Sequence, residues 1–172
     1  MTIFSQRILG IDPGTATIGY GLLIHETNND LSYLASGIIQ TPKDMVAGKR
    51  LSMIRVDLIQ LIEEFKPDIL AVETIFFFKN AKTAMAVAQA RGVILEAAAS
   101  CCIPVAEYTP MQVKLQLTGT GKADKRLVQE MIAALFGLPA IIKPDDASDA
   151  LALAVCHTRL KYLLNPILEP AS

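Results

Sequence analysis

Four acidic residues stand at positions where a carboxylate is costly to place. Asp12 and Glu73 each end a short apolar run, and Asp146 and Asp149 open a mostly apolar segment near the end of the chain. Asp149 follows Asp146 by three positions, so in a helix they share one face. An ionised carboxylate on an apolar scaffold needs a compensating partner. These four residues are therefore the first candidates for chemistry.

Each acid also has an ordinary structural explanation. A lone acid at the end of a strand is common in loops, and acids in the first turn of a helix interact favourably with the helix dipole. Capping explains Asp145 and Asp146 well. It explains Asp149 less well, because this residue lies further inside the predicted helix.

Taken together, the four acids favour a metal site. No cluster of His or Cys accompanies them, and oxygen-only ligand sets suit Mg²⁺ or Mn²⁺ rather than zinc or copper. Without a metal the carboxylates would repel one another. We therefore expect raised carboxylate pKa values in the metal-free protein and stabilisation of the fold by metal.

The elements that must position these acids follow from the hydrophobic pattern. Apolar runs bounded by turn residues predict five strands, at 7–12, 18–24, 31–40, 69–72 and 104–108. Apolar residues at helical spacing and capping residues predict helices at 51–65, 80–100, 110–117 and 124–136, and a last one from 145 or 146 to about 164.

The order of the elements predicts an α/β fold. Three consecutive strands form an antiparallel meander, and the right-handed crossover rule places the fourth strand on the far side of the first. We predict a five-stranded mixed sheet of order 3-2-1-4-5, flanked by helices, in a single domain over residues 1–172. This order brings Asp12 and Glu73 to the same edge of the sheet.

Composition excludes several classes of protein. The chain has 172 residues, of which 52% are hydrophobic and 19% charged, so it is neither disordered nor a coiled coil. The net charge of −1 argues against coating nucleic acid by bulk positive charge, but it allows a local basic face. Cys101, Cys102 and Cys156 lack zinc-site spacing and are expected to be buried apolar residues. With no apolar run typical of a signal peptide or a membrane span, we expect a cytoplasmic protein.

Four motifs follow one another between about Ile8 and His157: Leu9-Gly10-Ile11-Asp12-Pro13-Gly14, Val72-Glu73 through Phe76 to Lys79-Asn80, Gln89-Ala90-Arg91-Gly92, and Asp146-Ala147-Ser148-Asp149-Ala150-Leu151. Together they resemble the RuvC family of bacterial Holliday-junction resolvases in the RNase H-like superfamily. The resemblance implies a homodimeric, Mg²⁺-dependent endonuclease that nicks two strands of like polarity at a four-way DNA junction. It also implies a role in homologous recombination and DNA repair, in cooperation with a branch-migration motor of the RuvA and RuvB type.

The same resemblance assigns roles to individual residues. It implies that Asp12, Glu73, Asp146 and Asp149 are the catalytic metal ligands. The chemistry of this oxygen-only set predicts two Mg²⁺ ions per subunit, with Mn²⁺ as a substitute. Asp145 has no assigned role.

Aromatic and basic residues are candidates for contact with DNA. Three consecutive phenylalanines, 76–78, cannot all face one core, so at least one is expected to face a neighbouring subunit or solvent. Stacking on bases and packing between subunits are the two alternatives for such a side chain. The resemblance places Phe76 at the family's base-stacking position. The basic segment 111–126 is either a solvated loop or a phosphate-binding surface, and the resemblance links its Lys114 and Lys125 to DNA binding and catalysis. For Arg91 both a DNA contact and a structural role remain open.

Two further regions have simpler interpretations. The alanine-rich helix 80–100 packs either on its own sheet or in a dimer interface. His25 and His157 are predicted to be ordinary surface or helix residues without a catalytic role.

Three other functions fit part of the pattern. A different RNase H-like nuclease acting on RNA or an RNA–DNA hybrid could carry similar acids. An actin-like ATPase module would need two related halves, and this chain supplies only one. A structural junction-binding protein with a vestigial site would tend to lose one of the four acids.

Overall fold

The computed structural model describes residues 5–14, 16–42, 44–74 and 81–164, except for the side chains of residues 81–83 and 162–164. Phe76 and the rest of the predicted base-stacking segment lie outside the described residues. Five strands are described: β1 (Gln6–Asp12), β2 (Thr17–His25), β3 (Leu31–Gln40), β4 (Ile69–Glu73) and β5 (Val105–Tyr108). The described helices are α1 (Ala47–Phe65), α2 (Ala81–Ser100), α3 (Pro110–Thr118), α4 (Lys125–Leu135) and α5 (Asp145–Leu164).

The five strands form one mixed sheet of order β3-β2-β1-β4-β5, which confirms the predicted order. The pairs β3–β2 and β2–β1 are antiparallel, and the pairs β1–β4 and β4–β5 are parallel. Each face of the sheet carries its own apolar core. Ile8 packs in the core on the side of α5, whereas Leu9 packs in the core formed with α1 and α2. None of the described helices has the length and apolar character needed to span a membrane.

Helix ends follow the capping chemistry of the sequence where that chemistry is present. Thr109 and Gln112 form a reciprocal capping box at the start of α3, and the side chain of Asp124 accepts a hydrogen bond from the amide of Leu127 at the start of α4. Helix α1 instead begins at Ala47, earlier than the predicted residue 51. Its N-cap, Val46, makes no side-chain capping bond, so no local signal marks this start.

Helix α5 lies directly on the backbone of β1 and β2. Gly10 and Gly21 are cross-strand partners. A Cβ atom on Gly10 would lie 1.9 Å from the carbonyl oxygen of Ala150, and one on Gly21 would lie 2.5 Å from Cα of Leu151. Only glycine allows this close approach of helix to sheet.

A third glycine in the sheet allows the start of α5 to lie beside the end of β1. A Cβ atom on Gly19 would lie 1.9 Å from the carbonyl oxygen of Asp146. Gly19 is the cross-strand partner of Asp12. The first turn of α5 therefore lies near Asp12.

Some expectations about individual side chains were wrong. Cys102 is exposed and Cys101 is partly exposed, whereas Cys156 is buried as expected. His25 is buried in β2, neither at the surface nor in a helix. His157 lies in helix α5, as the prediction allowed, and it is buried there, with its Nδ1 atom 2.6 Å from the hydroxyl oxygen of Tyr108. Burial lowers the pKa of His157 to about 4, so it is a neutral residue of the core.

The contact between α5 and the sheet is tested by Gly21→Ala. The added methyl group would collide with backbone of α5, and overpacking of this kind costs about 1–3 kcal/mol. The free energy of unfolding, measured by urea denaturation, is expected to fall by at least that amount. Gly48→Ala in α1, where a Cβ meets nothing within 4 Å, is the matched control and should leave stability unchanged or slightly higher. Equal stability of the two variants would contradict the close contact.

Candidate active site

A cavity of about 300 Å³ lies at the edge of the sheet where β1 and β4 end. Among the described residues, three acidic and two basic side chains share its wall with apolar residues of α3, α4 and α5. The lining residues are Asp12, Glu73, Pro110, Val113, Lys114, Lys125, Val128, Asp149, Ala152 and Leu153.

Strand register brings the first two acids together. Ile11 is paired with Val72 in the parallel ladder, so Asp12 and Glu73 are adjacent at the ends of their strands. Side chains alternate between the faces of a sheet, and Ile8 on β1 belongs to the core beneath α5. Asp12, four residues further along, points to the same side. The predicted adjacency of Asp12 and Glu73 is confirmed.

The helix supplies the third acid of the cavity. Asp149 lines the cavity from α5, one turn after the start of the helix. Asp146 is not among the lining residues, but it is close enough for its charge to act on Asp12. The structure therefore places Asp12, Glu73 and Asp149 around one cavity and Asp146 beside it.

The environment of Asp12 disfavours its charged form. The pKa of Asp12 is raised from its ordinary value of 3.8 to about 7, chiefly because the carboxyl group is buried. Repulsion by Glu73, Asp149 and Asp146 raises it further, and the nearby charge of Lys125 opposes these effects. At neutral pH this carboxyl group is thus close to its midpoint of ionisation.

The other two acids of the cavity are shifted in the same direction. Burial raises the pKa of Glu73, and repulsion by Asp149 adds to it. Burial also raises the pKa of Asp149, although the hydrogen bond from Lys125 lowers it. Raised carboxylate pKa values are what the sequence predicted for a metal-free acidic cluster.

Lys125 supplies positive charge at the cavity. Its Nζ atom lies 2.7 Å from Oδ2 of Asp149 and 3.6 Å from Oδ2 of Asp145. The other oxygen of Asp145 lies 2.5 Å from Nζ of Lys143. Asp145, which had no assigned role, therefore bridges two lysines at the start of α5.

Only part of the predicted basic segment faces the cavity. Lys114 lines it from α3 and Lys125 from α4. Arg126 instead pairs with Glu130 on its own helix, and its side chain is 82% exposed. The two lysines singled out in the sequence are thus the ones that the structure places beside the acids.

The donor set of the cavity fits a hard divalent cation. Its acids offer only carboxylate oxygens, and their pKa values are raised first by burial and then by repulsion from neighbouring acids, both of which a bound cation would offset. Within the described ranges, however, no three His, Cys, Asp or Glu side chains are gathered closely enough to hold a metal. Lys125 is the counter-ion of Asp149.

The sequence and the fold agree with one group of known proteins. The sequence model of the crossover junction endodeoxyribonuclease RuvC matches residues 8–157. The chain belongs to the RuvC family. The matched range contains every residue that lines the cavity.

Individual RuvC proteins resemble the chain over nearly its whole length. The crossover junction endodeoxyribonuclease RuvC of Syntrophomonas wolfei is 48% identical over 167 residues, covering 97% of this chain and 96% of its own. That of Desulfitobacterium hafniense is 49% identical over 158 residues, covering 92% and 95%. The structure of Thermus thermophilus RuvC in complex with a Holliday junction substrate is 32% identical, with a TM-score of 0.86, and the match covers 92% of this chain and 96% of that one. The predicted family and the RNase H-like fold are confirmed.

The raised pKa of Asp12 predicts how stability changes with pH in the metal-free protein. Because the folded state holds a proton on Asp12 more tightly than the unfolded state, its stabilising contribution is present at low pH and is lost as the pH rises from 3.8 through about 7. In Asp12→Asn the side chain cannot ionise, so the free energy of unfolding does not undergo this loss as the pH rises. The variant should match the wild type near pH 4 and exceed it near pH 8 by about 1–3 kcal/mol in free energy of unfolding.

Urea denaturation across this pH range measures the difference. Glu64→Gln, which removes an exposed acid of α1 outside the cavity, should show no such divergence from the wild type. A difference between Asp12→Asn and the wild type that does not change with pH would contradict the shifted pKa.

Proposed function

We propose that this protein is a Holliday-junction resolvase that makes paired, symmetric nicks in two strands of like polarity at a four-way DNA junction. The observation that carries the proposal is the cavity at the ends of β1 and β4, where acids and two lysines meet in a chain of the RuvC family. The Thermus thermophilus relative has been solved with a Holliday junction substrate. Such an activity belongs to homologous recombination and DNA repair.

The reaction is the hydrolysis of a phosphodiester to give 5′-phosphate ends. Asp12, Glu73, Asp146 and Asp149 would hold Mg²⁺, or Mn²⁺ in its place, and the acid count suits two ions. When bound, such ions activate water and stabilise the leaving 3′ oxygen. The carboxylates themselves would hold and orient the cations, beside an apolar wall formed by Val113, Val128 and Leu153.

The two lysines of the cavity would act on the DNA. Lys125 has its ammonium group among the acids, where it can stabilise negative charge that develops on the phosphate. Lys114 lines the same cavity from α3 and would contact the phosphate backbone. Phe76, outside the described residues, would stack on a base next to the cut.

A homodimer accounts for the pairing of the nicks. A four-way junction is roughly two-fold symmetric, and a two-fold dimer presents it with two identical sites. Helix α2 is the proposed interface, together with the phenylalanine run, and Met85 on this helix is 65% exposed. A branch-migration motor of the RuvA and RuvB type is the proposed partner on the junction. Sedimentation as a monomer would remove the dimer from this proposal.

Cleavage of a synthetic four-way junction tests the function directly. With Mg²⁺, the wild type should nick two opposing strands symmetrically. Asp12→Asn should bind the junction but lose cleavage by about a hundredfold or more, because it removes a proposed metal ligand. Glu64→Gln should cleave as the wild type does. Equal cleavage of plain duplex DNA, or a preference for an RNA–DNA hybrid, would point to a different nuclease.

Junction binding and the single-turnover cleavage rate should distinguish the roles of the two lysines. Lys114→Met should weaken junction binding and reduce its salt dependence by about one phosphate contact. Lys125→Met should lower the single-turnover cleavage rate by about ten- to a hundredfold, more than it weakens binding. Lys49→Met, on the exposed start of α1, is the control for loss of one positive charge. Identical behaviour of all three variants would contradict both roles.

A further inference from the structure

The backbone carbonyl of Glu73, at the end of β4, lacks a hydrogen-bond donor in the neighbouring strand. The amide of Thr74 donates to the carbonyl oxygen of Tyr108 in β5. In a parallel ladder the groups of successive residues face opposite neighbours, so the carbonyl of Glu73 faces β1. From the pairing of Ile11 with Val72, the residue that should donate to it is Pro13. Proline has no N–H to give.

Arg91 provides a donor to this carbonyl from outside the sheet. Its Nε atom lies 3.4 Å from the carbonyl oxygen of Glu73, and its Nη2 atom pairs with a carboxylate oxygen of Glu107 on β5. The side chain of Arg91 is only 19% exposed. One guanidinium group thus connects α2 to the ends of both β4 and β5.

This arrangement lies on the opposite face of the sheet from the cavity. Val105, two residues before Glu107, packs in the core formed with α1 and α2, so Glu107 points to that side. Arg91 comes from α2 and is absent from the lining of the cavity. Its ion-pair partner, Glu107, lies on this face as well.

We propose that Arg91 is a positioning residue for Glu73. Its guanidinium group holds the peptide between Glu73 and Thr74 from the face of the sheet that carries α1 and α2. The Glu73 carboxylate is thereby kept towards Asp12 and Asp149 on the opposite face. A carboxylate at the end of a strand whose ladder stops would otherwise move with the fraying end. The expected effect of Arg91 on cleavage rests on the proposed nuclease function. Its expected effect on the order of the strand end does not.

Hydrogen exchange in the metal-free full-length protein tests the structural part. Arg91→Met should speed exchange of the Thr74 amide by about tenfold or more, because the strand end opens more often. Arg91→Lys keeps the charge but not the two-point contact and should give a smaller increase. Arg55→Met is the matched control. Arg55 lies on α1 and makes a similar ion pair with Glu96, which lies on α2 as Arg91 does. It should leave Thr74 exchange unchanged.

Cleavage and binding of a synthetic four-way junction test the catalytic part. Arg91→Met should lower the single-turnover rate by about ten- to a hundredfold, as expected for a misplaced catalytic group, and raise the Mg²⁺ concentration needed for half-maximal rate. Junction affinity without metal should stay within about twofold of the wild type. Glu107→Gln should show the same pattern more weakly, and Arg55→Met should match the wild type throughout.

Three results would overturn the proposal. One is weaker junction binding with unchanged Thr74 exchange in Arg91→Met, which would make Arg91 a DNA contact. A second is no change in any measurement. If Arg91→Met does not fold, unchanged Thr74 exchange in both Arg91→Lys and Glu107→Gln would be the third. Failure of the wild type and Arg55→Met to cut the junction would instead refute the nuclease function, and the exchange data would still decide the role of Arg91 at the strand end.

Discussion

The placement of the acids depends on the direct contact between α5 and the backbone of β1 and β2. Any side chain at Gly10, Gly19 or Gly21 would push the helix outwards, and with it the acids that α5 carries towards Asp12. The helix is held there by its buried residues, which run without interruption from Ala150 to Thr158 and are apolar up to Cys156. Each fully buried aliphatic side chain contributes about 1.5–3 kcal/mol. Several of them can offset the cost of gathering like charges at the helix start.

Much of the fold could be predicted because its signals are local or follow from general rules. Periodic apolar residues identified the helices, and Thr109 and Asp124 marked two helix starts by their capping chemistry. The crossover rule then gave the strand order. The start of α1 could not be predicted, since Val46 offers no capping side chain. Burial of His157 and exposure of Cys102 depend on tertiary packing, which no local pattern reports.

The candidate site likewise has features that the sequence predicts and features that it does not. Asp12 and Glu73 could be placed together because strand order fixes which strand ends are neighbours. The pairing of Lys125 with Asp149 joins two helices that are separate in sequence, and no spacing rule predicts it. The contact from Arg91 to the carbonyl of Glu73 depends on a missing donor at Pro13, which becomes visible only when the register of β1 and β4 is known. Charge partners and backbone hydrogen bonds of this kind require coordinates.

The ion pair between Lys125 and Asp149 has a thermodynamic consequence. In the proposed nuclease, a divalent cation that displaced the ammonium group from Asp149 would spend part of its binding free energy on breaking this pair. The released ammonium would then be available to a phosphate at the mouth of the cavity. Binding of the cation and of the nucleic acid would thereby be linked, and because linkage is reciprocal, each would raise the affinity for the other by the same factor. Because the side chain of Lys125 is 52% exposed, solvent screens the pair. A screened pair is worth about 1 kcal/mol, which sets the modest scale of the cooperativity that it could provide.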